Sequence, residues 1–182
     1  MRAARGVRDW LALRTMSTPP GPIVVQPIDH ATWQAMVVKM GLIYELAEES
    51  GLDVEGVPEG FETPDLVDLA IAWWRALPRG RRVDADELAE AAGLLVGDYL
   101  RQVCEFSWCH VTDGYGEGLA LVHGTPRDER FLVLAPIDAM AKRLPSEPDG
   151  FVCDFVNNLS DIIDGYPRTS EVTDPAGPGD NS

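Results

Sequence analysis

From Asp29 onward, apolar residues recur three and four positions apart: Trp33, Met36, Val37, Met40, Tyr44 and Ala47. That spacing lays a stripe along one helix. Asp29 can accept from the orphan amides of its first turn. Ile28 and Trp33 stand where a hydrophobic staple closes, and Gly51 fits the position just past the last turn. A second helix opens at Thr63-Pro64, with threonine as cap and proline at the first helical position. Its stripe is Leu66, Leu69, Ala70, Trp73 and Leu77, and Pro78 ends it. A third begins at Asp84 and Glu87, a capping-box pair flanked by Val83 and Leu88, and runs to about Val103. Along it Ala85, Ala89, Gly93 and Gly97 fall four apart. Each mid-helix glycine costs roughly 1 kcal/mol against alanine, so this face predicts the close approach of another backbone.

The period then changes from helical to alternating. "EFSWCHV", "GLALVH" and "RFLVLAPI" read as three strands. Asp113-Gly114-Tyr115-Gly116 supplies the first turn, because glycine accepts the positive φ of a tight reversal. Thr125-Pro126-Arg127-Asp128 marks the second. Pairing Thr112 with Glu117 puts Phe106, Trp108, His110, Leu119, Leu121 and His123 on one face. Ser107, Cys109, Val111, Ala120 and Val122 then share the other. Pro136 ends the last strand. "IDAMAKRL" follows as a short helix, and Ser146 to Asp149 reads as the capping box of a final one with Phe151 or Val152, Phe155, Val156, Leu159, Ile162 and Ile163 inside.

The plan is α-α-α-β-β-β-α-α, an α+β domain whose helices cover one face of a three-stranded antiparallel meander. Residues 29–165 form this single domain. Residues 1–28 are expected to be a disordered or extended arm, Pro-rich from 16 to 28. "GLDVEGVPEGFE" is an acidic loop, and 166–182 lack core-forming residues and are expected to be disordered.

Charge adds the strongest constraint. The 182-residue chain carries 30 acids against 15 lysines and arginines, a net −15. Such a surface repels phosphate backbones, which excludes direct binding of nucleic acid or an anionic membrane and permits a basic protein partner. No apolar run reaches the roughly 18 residues of a membrane span. Residues 1–15 are the exception to the acidity, with Arg2, Arg5, Arg8 and Arg14 against Asp9 alone. Their apolar "WLAL" is too short for the signal-peptide core of about 7–15 residues, so they read as an upstream-start extension or arm before Met16. Three cysteines, Cys104, Cys109 and Cys153, fit reduced thiols in a cytoplasm better than a disulfide framework.

Candidate chemistry centres on the hairpin. Cys104, Cys109, His110 and His123 are zinc-ligand types, but their spacing matches no standard finger, and adjacent strand residues point to opposite faces. Cys109 therefore reads as a buried small hydrophobe. A nucleophilic Cys109 or Ser107 would need His110 or His123 as base, and no nucleophile-elbow sequence is present. Asp113 as a general base competes with Asp113 as a turn former. The residues that would make a site here are His110, His123, Trp108 and Asp113. "GYGEG" sits in a hairpin and not in a strand-to-helix turn, so it is no nucleotide loop and no cofactor is expected. Arg79, Arg81 and Arg82, with Lys142 and Arg143, are the notable cations. Together they could hold an anionic ligand or a partner's carboxylates. Separately they are a solvated loop and a helix C-terminus that favours positive charge. Cys153 stands near the polar edge of the final helix.

The helix with "GLLVGDYL", the strand holding Trp108, the turn "DGYG" followed by "LAL", the strand ending at Pro136 and "AMAKR" together resemble the bacterial domain of unknown function 3806 family. The resemblance spans residues 88–163, implies a small α+β bacterial domain, and brings no catalytic residues with it. The leading expectation is a non-enzymatic cytoplasmic protein that binds another protein, one version being an immunity or antitoxin-like inhibitor of a basic toxin. The rival is a small enzyme or metal-binding protein using the histidines of the hairpin.

Overall fold

The computed structural model describes residues 22–53, 60–114, 116–126 and 131–164, with no side-chain description for 160–164. In chain order the elements are β1 (Val24–Pro27), α1 (His30–Glu49), α2 (Thr63–Ala76), a 3-10 turn (Arg79–Arg81), α3 (Ala85–Val103), β2 (Ser107–Asp113), β3 (Gly116–His123), β4 (Leu132–Leu134), α4 (Pro136–Arg143) and α5 (Phe151–Asp164). The α+β class expected from the pattern is the class observed.

The sheet is antiparallel with order β1-β2-β3-β4, so the meander has a fourth strand. Val24–Pro27 comes from the stretch read as an arm. It pairs along the outside of β2, Val24 opposite Thr112 and Pro27 opposite Cys109. Proline at an edge strand loses no ladder bond that the sheet needs, which is why a Pro-rich run could still be recruited. The hairpin register is as expected, with Thr112 opposite Glu117 and Asp113 opposite Gly116. The expectations for residues 1–21 and 165–182, for 54–59 of the acidic loop, for Tyr115, for Arg127 and Asp128, and for the Ile162 and Ile163 side chains lie outside the described residues.

The two sheet faces are buried in different ways. Phe106, Trp108, Leu121, Leu132 and Leu134 join the main core with the apolar faces of all five helices. Cys109, Val111, Ala120 and Val122 form a second small cluster on the other face, with Ile23, Val25, Phe131 and Val133 packed beside it. Burial raises the Cys109 thiol above its usual pKa, as expected for a packing cysteine.

Helix α3 is the centre. Ten of its residues, from Leu88 to Leu100, are buried, and it packs against α1, α2 and α4. Its small-residue face is where α4 and the sheet come close. A Cβ at Gly93 would lie 2.5 Å from the Ile137 Cα, and one at Gly97 only 2.2 Å from the Trp108 ring. The close approach predicted from the glycine spacing is therefore real.

Several local expectations need correction. Asp84 caps α3 through the Asp86 amide at 2.9 Å and not in a box with Glu87. The Val152 and Cys153 amides at the start of α5 donate to Asp68 and not to a Ser146–Asp149 box. On α2 Val67 and Ile71 are buried, and Leu69 and Trp73 are half-buried. The cap of α2 is Glu62 and not Thr63: Glu62 and Asp65 form a reciprocal capping box, with the Glu62 amide donating to Asp65 at 2.9 Å. On α1 the buried residues are Met36, Met40, Ile43, Leu46 and Ala47. Val37 and Tyr44 are exposed, about a quarter turn away from that buried line. Apolar residues beside the buried line made the stripe ambiguous to spacing alone.

Candidate functional site

The hairpin does not gather its reactive side chains. His110 faces Leu119 across the ladder, and His123 is four residues further along β3. At a rise of about 3.3 Å per residue, the two histidines stand roughly 13 Å apart along the face they share. Between them is the Trp108–Leu121 pair, both buried. Trp108 fills the space vacated at Gly97 and acts as a packing wedge. His123 meets the Phe106 ring edge-on at 5.7 Å. His110 is exposed on β2, near Asp29 at the start of α1. Hydrogen bonding to Thr32 is the main reason the Asp29 carboxyl sits below its ordinary pKa, with smaller pulls from His110 and His30. Asp113 is three residues beyond His110 and of opposite strand parity. Among the described residues no group of three or more His, Cys, Asp or Glu could hold a metal ion.

The cations divide by what they touch. Arg82 donates to the carbonyls of Arg75 and Leu77 and stacks over Trp74 at 5.3 Å, closing the C-terminus of α2. Arg143 lies over Phe155 at 5.6 Å. Arg79, Arg81 and Lys142 are exposed. The cation that spacing missed is Arg75. It donates to Asp149 at 2.5 Å, to the Leu144 carbonyl at 2.9 Å and to the Glu147 carbonyl at 2.8 Å, fastening the end of α2 to the α4–α5 connection. A second long-range tie is Asp68, only 9% exposed, which accepts the Val152 and Cys153 amides at 3.0 and 2.9 Å. It places a carboxylate at the positive N-terminus of α5. Burial, then the neighbouring Asp68 and Asp65, push the Cys153 thiol far above its usual pKa, leaving it protonated.

The described residues form two concave surfaces of note. The first, about 480 Å³, is lined by Ile28, Asp29, His30, Trp33, Arg101, Phe106, Ser107 and Trp108. Arg101 is already engaged there, 5.4 Å from the Trp33 ring and donating to Asp98 at 2.7 Å. The second, about 360 Å³, forms where the hairpin tip meets α3 and the start of α4. Leu119 and Ile137 give it apolar surface, and Glu90, Asp113, Glu117 and Asp138 are its acidic lining residues. Val111 and Ala120 border it while their side chains are buried on the other sheet face. Its described lining contains no lysine, arginine or histidine. Lys39 reaches Glu90 at 2.6 Å from outside the lining. Sequence reasoning missed this groove because Glu90, Asp113 and Asp138 are brought together only by the α3–α4 and β2–β3 packing. The net charge was the one available signal.

Comparison of the chain with protein-family models, curated proteins and solved structures returned no match. Among the described residues, no helix is long and apolar enough to cross a membrane.

Proposed function

We propose that this protein is a non-enzymatic interaction module that receives basic side chains of a protein partner in the acidic groove between the hairpin tip and α4. The observation that carries the reading is a concavity of about 360 Å³ lined by four acidic residues and by apolar Leu119 and Ile137. Lysine and arginine have that same division, an apolar stem and a charged head. A guanidinium seated between Glu117 and Asp138 would make charge-assisted hydrogen bonds, and its methylenes would cover Leu119 and Ile137. The net charge of −15 would speed encounter with a basic partner and make the association sensitive to salt. An inhibitor covering a basic toxin surface is one form such a module takes.

The test is an NMR titration of the isotopically labelled chain with a short arginine-rich peptide. Amide shifts concentrated at Glu117 to Ala120 and Ile137 to Ala139, weakened by salt and removed by Glu117→Gln with Asp138→Asn, are the expected result. Shifts spread evenly over the acidic surface, or unchanged in the double variant, would refute the groove as the site.

A further inference from the structure

The same chain carries a cationic segment that can reach the groove. Residues 1–15 hold four of the chain's 15 lysines and arginines, Arg2, Arg5, Arg8 and Arg14, and one of its 30 acids, Asp9. From Thr15 to Ile28 no residue is charged. Positive charge is thus concentrated ahead of an acidic fold, on a run that joins the fold at one place.

That place is beside the groove. β1 begins at Val24, opposite Thr112 of β2, and Thr112 in turn faces Glu117 of β3. The three form one row across the sheet and point to the same face. Neighbouring strands lie about 4.8 Å apart, so the backbone at Val24 stands roughly 10 Å from that of Glu117. β1 runs antiparallel to β2, and the residues before Val24 therefore leave at the hairpin-tip end, where Asp113, Gly116 and Glu117 line the groove. Arg14 is ten residues ahead of Val24. Ten residues span up to about 35 Å, more than enough to bring it to Glu117. The charges already present leave that carboxylate open. Lys39 holds Glu90 at 2.6 Å, and Lys142 stands one helical turn beyond Asp138 on α4. Glu117 is exposed and pairs with no cation among the described residues. Asp9 adjoins Arg8, which leaves Arg14, the arginine nearest the fold, without an acid beside it.

We propose that the N-terminal segment is an internal competitor for the groove: Arg14, with Arg8 behind it, seats against Glu117 and Asp138 and must be displaced before a partner's basic side chain enters. The inference rests on the groove reading and adds the regulation of that site. Covalent connection holds the arginines at an effective concentration in roughly the millimolar range, so a contact too weak to retain a free peptide is still populated. A segment seated about half to nine-tenths of the time lowers the apparent affinity for a partner about two- to tenfold. A partner presenting several cations displaces it and a weakly basic one does not, so the segment sets a threshold of basicity for entry.

The test compares the full chain with a variant carrying Arg2→Gln, Arg5→Gln, Arg8→Gln and Arg14→Gln together. NMR of the two labelled chains at low salt should show amide differences at Glu117 to Ala120 and Ile137 to Ala139. Those differences should not change with protein concentration, as a segment bound to its own chain requires. They should vanish when both chains also carry Glu117→Gln with Asp138→Asn. An arginine-rich peptide should bind the quadruple variant about two- to tenfold more tightly than the parent at low salt, and the gap should close as salt screens the competitor. Identical groove amides in the two chains, or differences confined to other regions, would overturn the inference. So would differences that grow with concentration, the mark of a segment bound to a second copy. Equal peptide affinities would overturn it while leaving the groove reading intact. A peptide that reaches the groove of neither chain would overturn both.

Discussion

Replacing Gly93 and Gly41 by alanine is the same chemical change in two helices, and the structure predicts opposite signs. At Gly93 the new methyl would lie 2.5 Å from the Ile137 Cα, 2.7 Å from the Ile137 nitrogen and 2.9 Å from the Pro136 carbonyl carbon. Ordinary carbon contacts sit at about 3.5–4.0 Å, so α4 must retreat from α3 by roughly 1 Å. All three obstacles are backbone, with no rotamer to turn aside. Overpacking of this kind costs about 1–3 kcal/mol, and backbone obstacles put it toward the upper end. The helix gains about 1 kcal/mol from alanine, so the net loss is roughly 1–2 kcal/mol. At Gly41 nothing lies within 4 Å, and only the gain remains. The two variants should therefore differ by roughly 2–3 kcal/mol, about 1–2 M in urea midpoint for a protein of this size. The assay is urea unfolding followed by circular dichroism. Gly93→Ala as stable as the parent would refute the packing argument, as would Gly41→Ala less stable than the parent.

Asp68→Ala should remove about 2–3 kcal/mol of stability, because two α5 amides lose a charged acceptor in a site that water does not reach; urea unfolding checks it. Tyr99 donates to Glu62, and that bond, followed by burial, raises its pKa from 10.0 to about 12. Its folded pKa lies above the unfolded one, so its contribution to stability is complete below pH 10.0 and fades as pH rises through about 12. An NMR titration of ring-labelled tyrosine should show Tyr99 ionising late, and Tyr99→Phe should remove the alkaline loss. A Tyr99 resonance titrating near its ordinary value would contradict the Glu62 bond. Cys109 and Cys153 should react slowly with a thiol reagent in the folded chain at mildly alkaline pH, because both thiols are held protonated, and become fast in denaturant. Equal rates in both states would show that these thiols are neither buried nor raised.

Local patterns were legible to the extent that their causes were local. The Thr112–Glu117 register follows from alternation and a glycine turn, and the sequence alone separated the two sheet faces. The Gly93–Gly97 spacing announced a close approach, although not that α4 and Trp108 would make it. β1 was hidden because its two valines sit in a Pro-rich run, and an edge strand needs only one good partner. The α1 stripe was misassigned because Val37 and Tyr44 keep helical spacing with Trp33 and Met40 while facing outward. Asp68 and Arg75 were invisible as ties, since their partners lie 69 to 85 residues away. The acidic groove assembles from three separate segments. Net charge motivates the proposed basic partner, and only the packing of hairpin, α3 and α4 brings the groove's acidic residues together.

The most direct test of the central claim is capture from a lysate of the protein's own host at low salt, in parallel on the parent chain and on Glu117→Lys with Asp138→Lys. Native mass spectrometry would then identify what each retains. A basic protein held stoichiometrically by the parent, released by salt and absent from the double variant is the predicted result. The same proteins on both baits would contradict the claim that this groove is where the chain binds its partner.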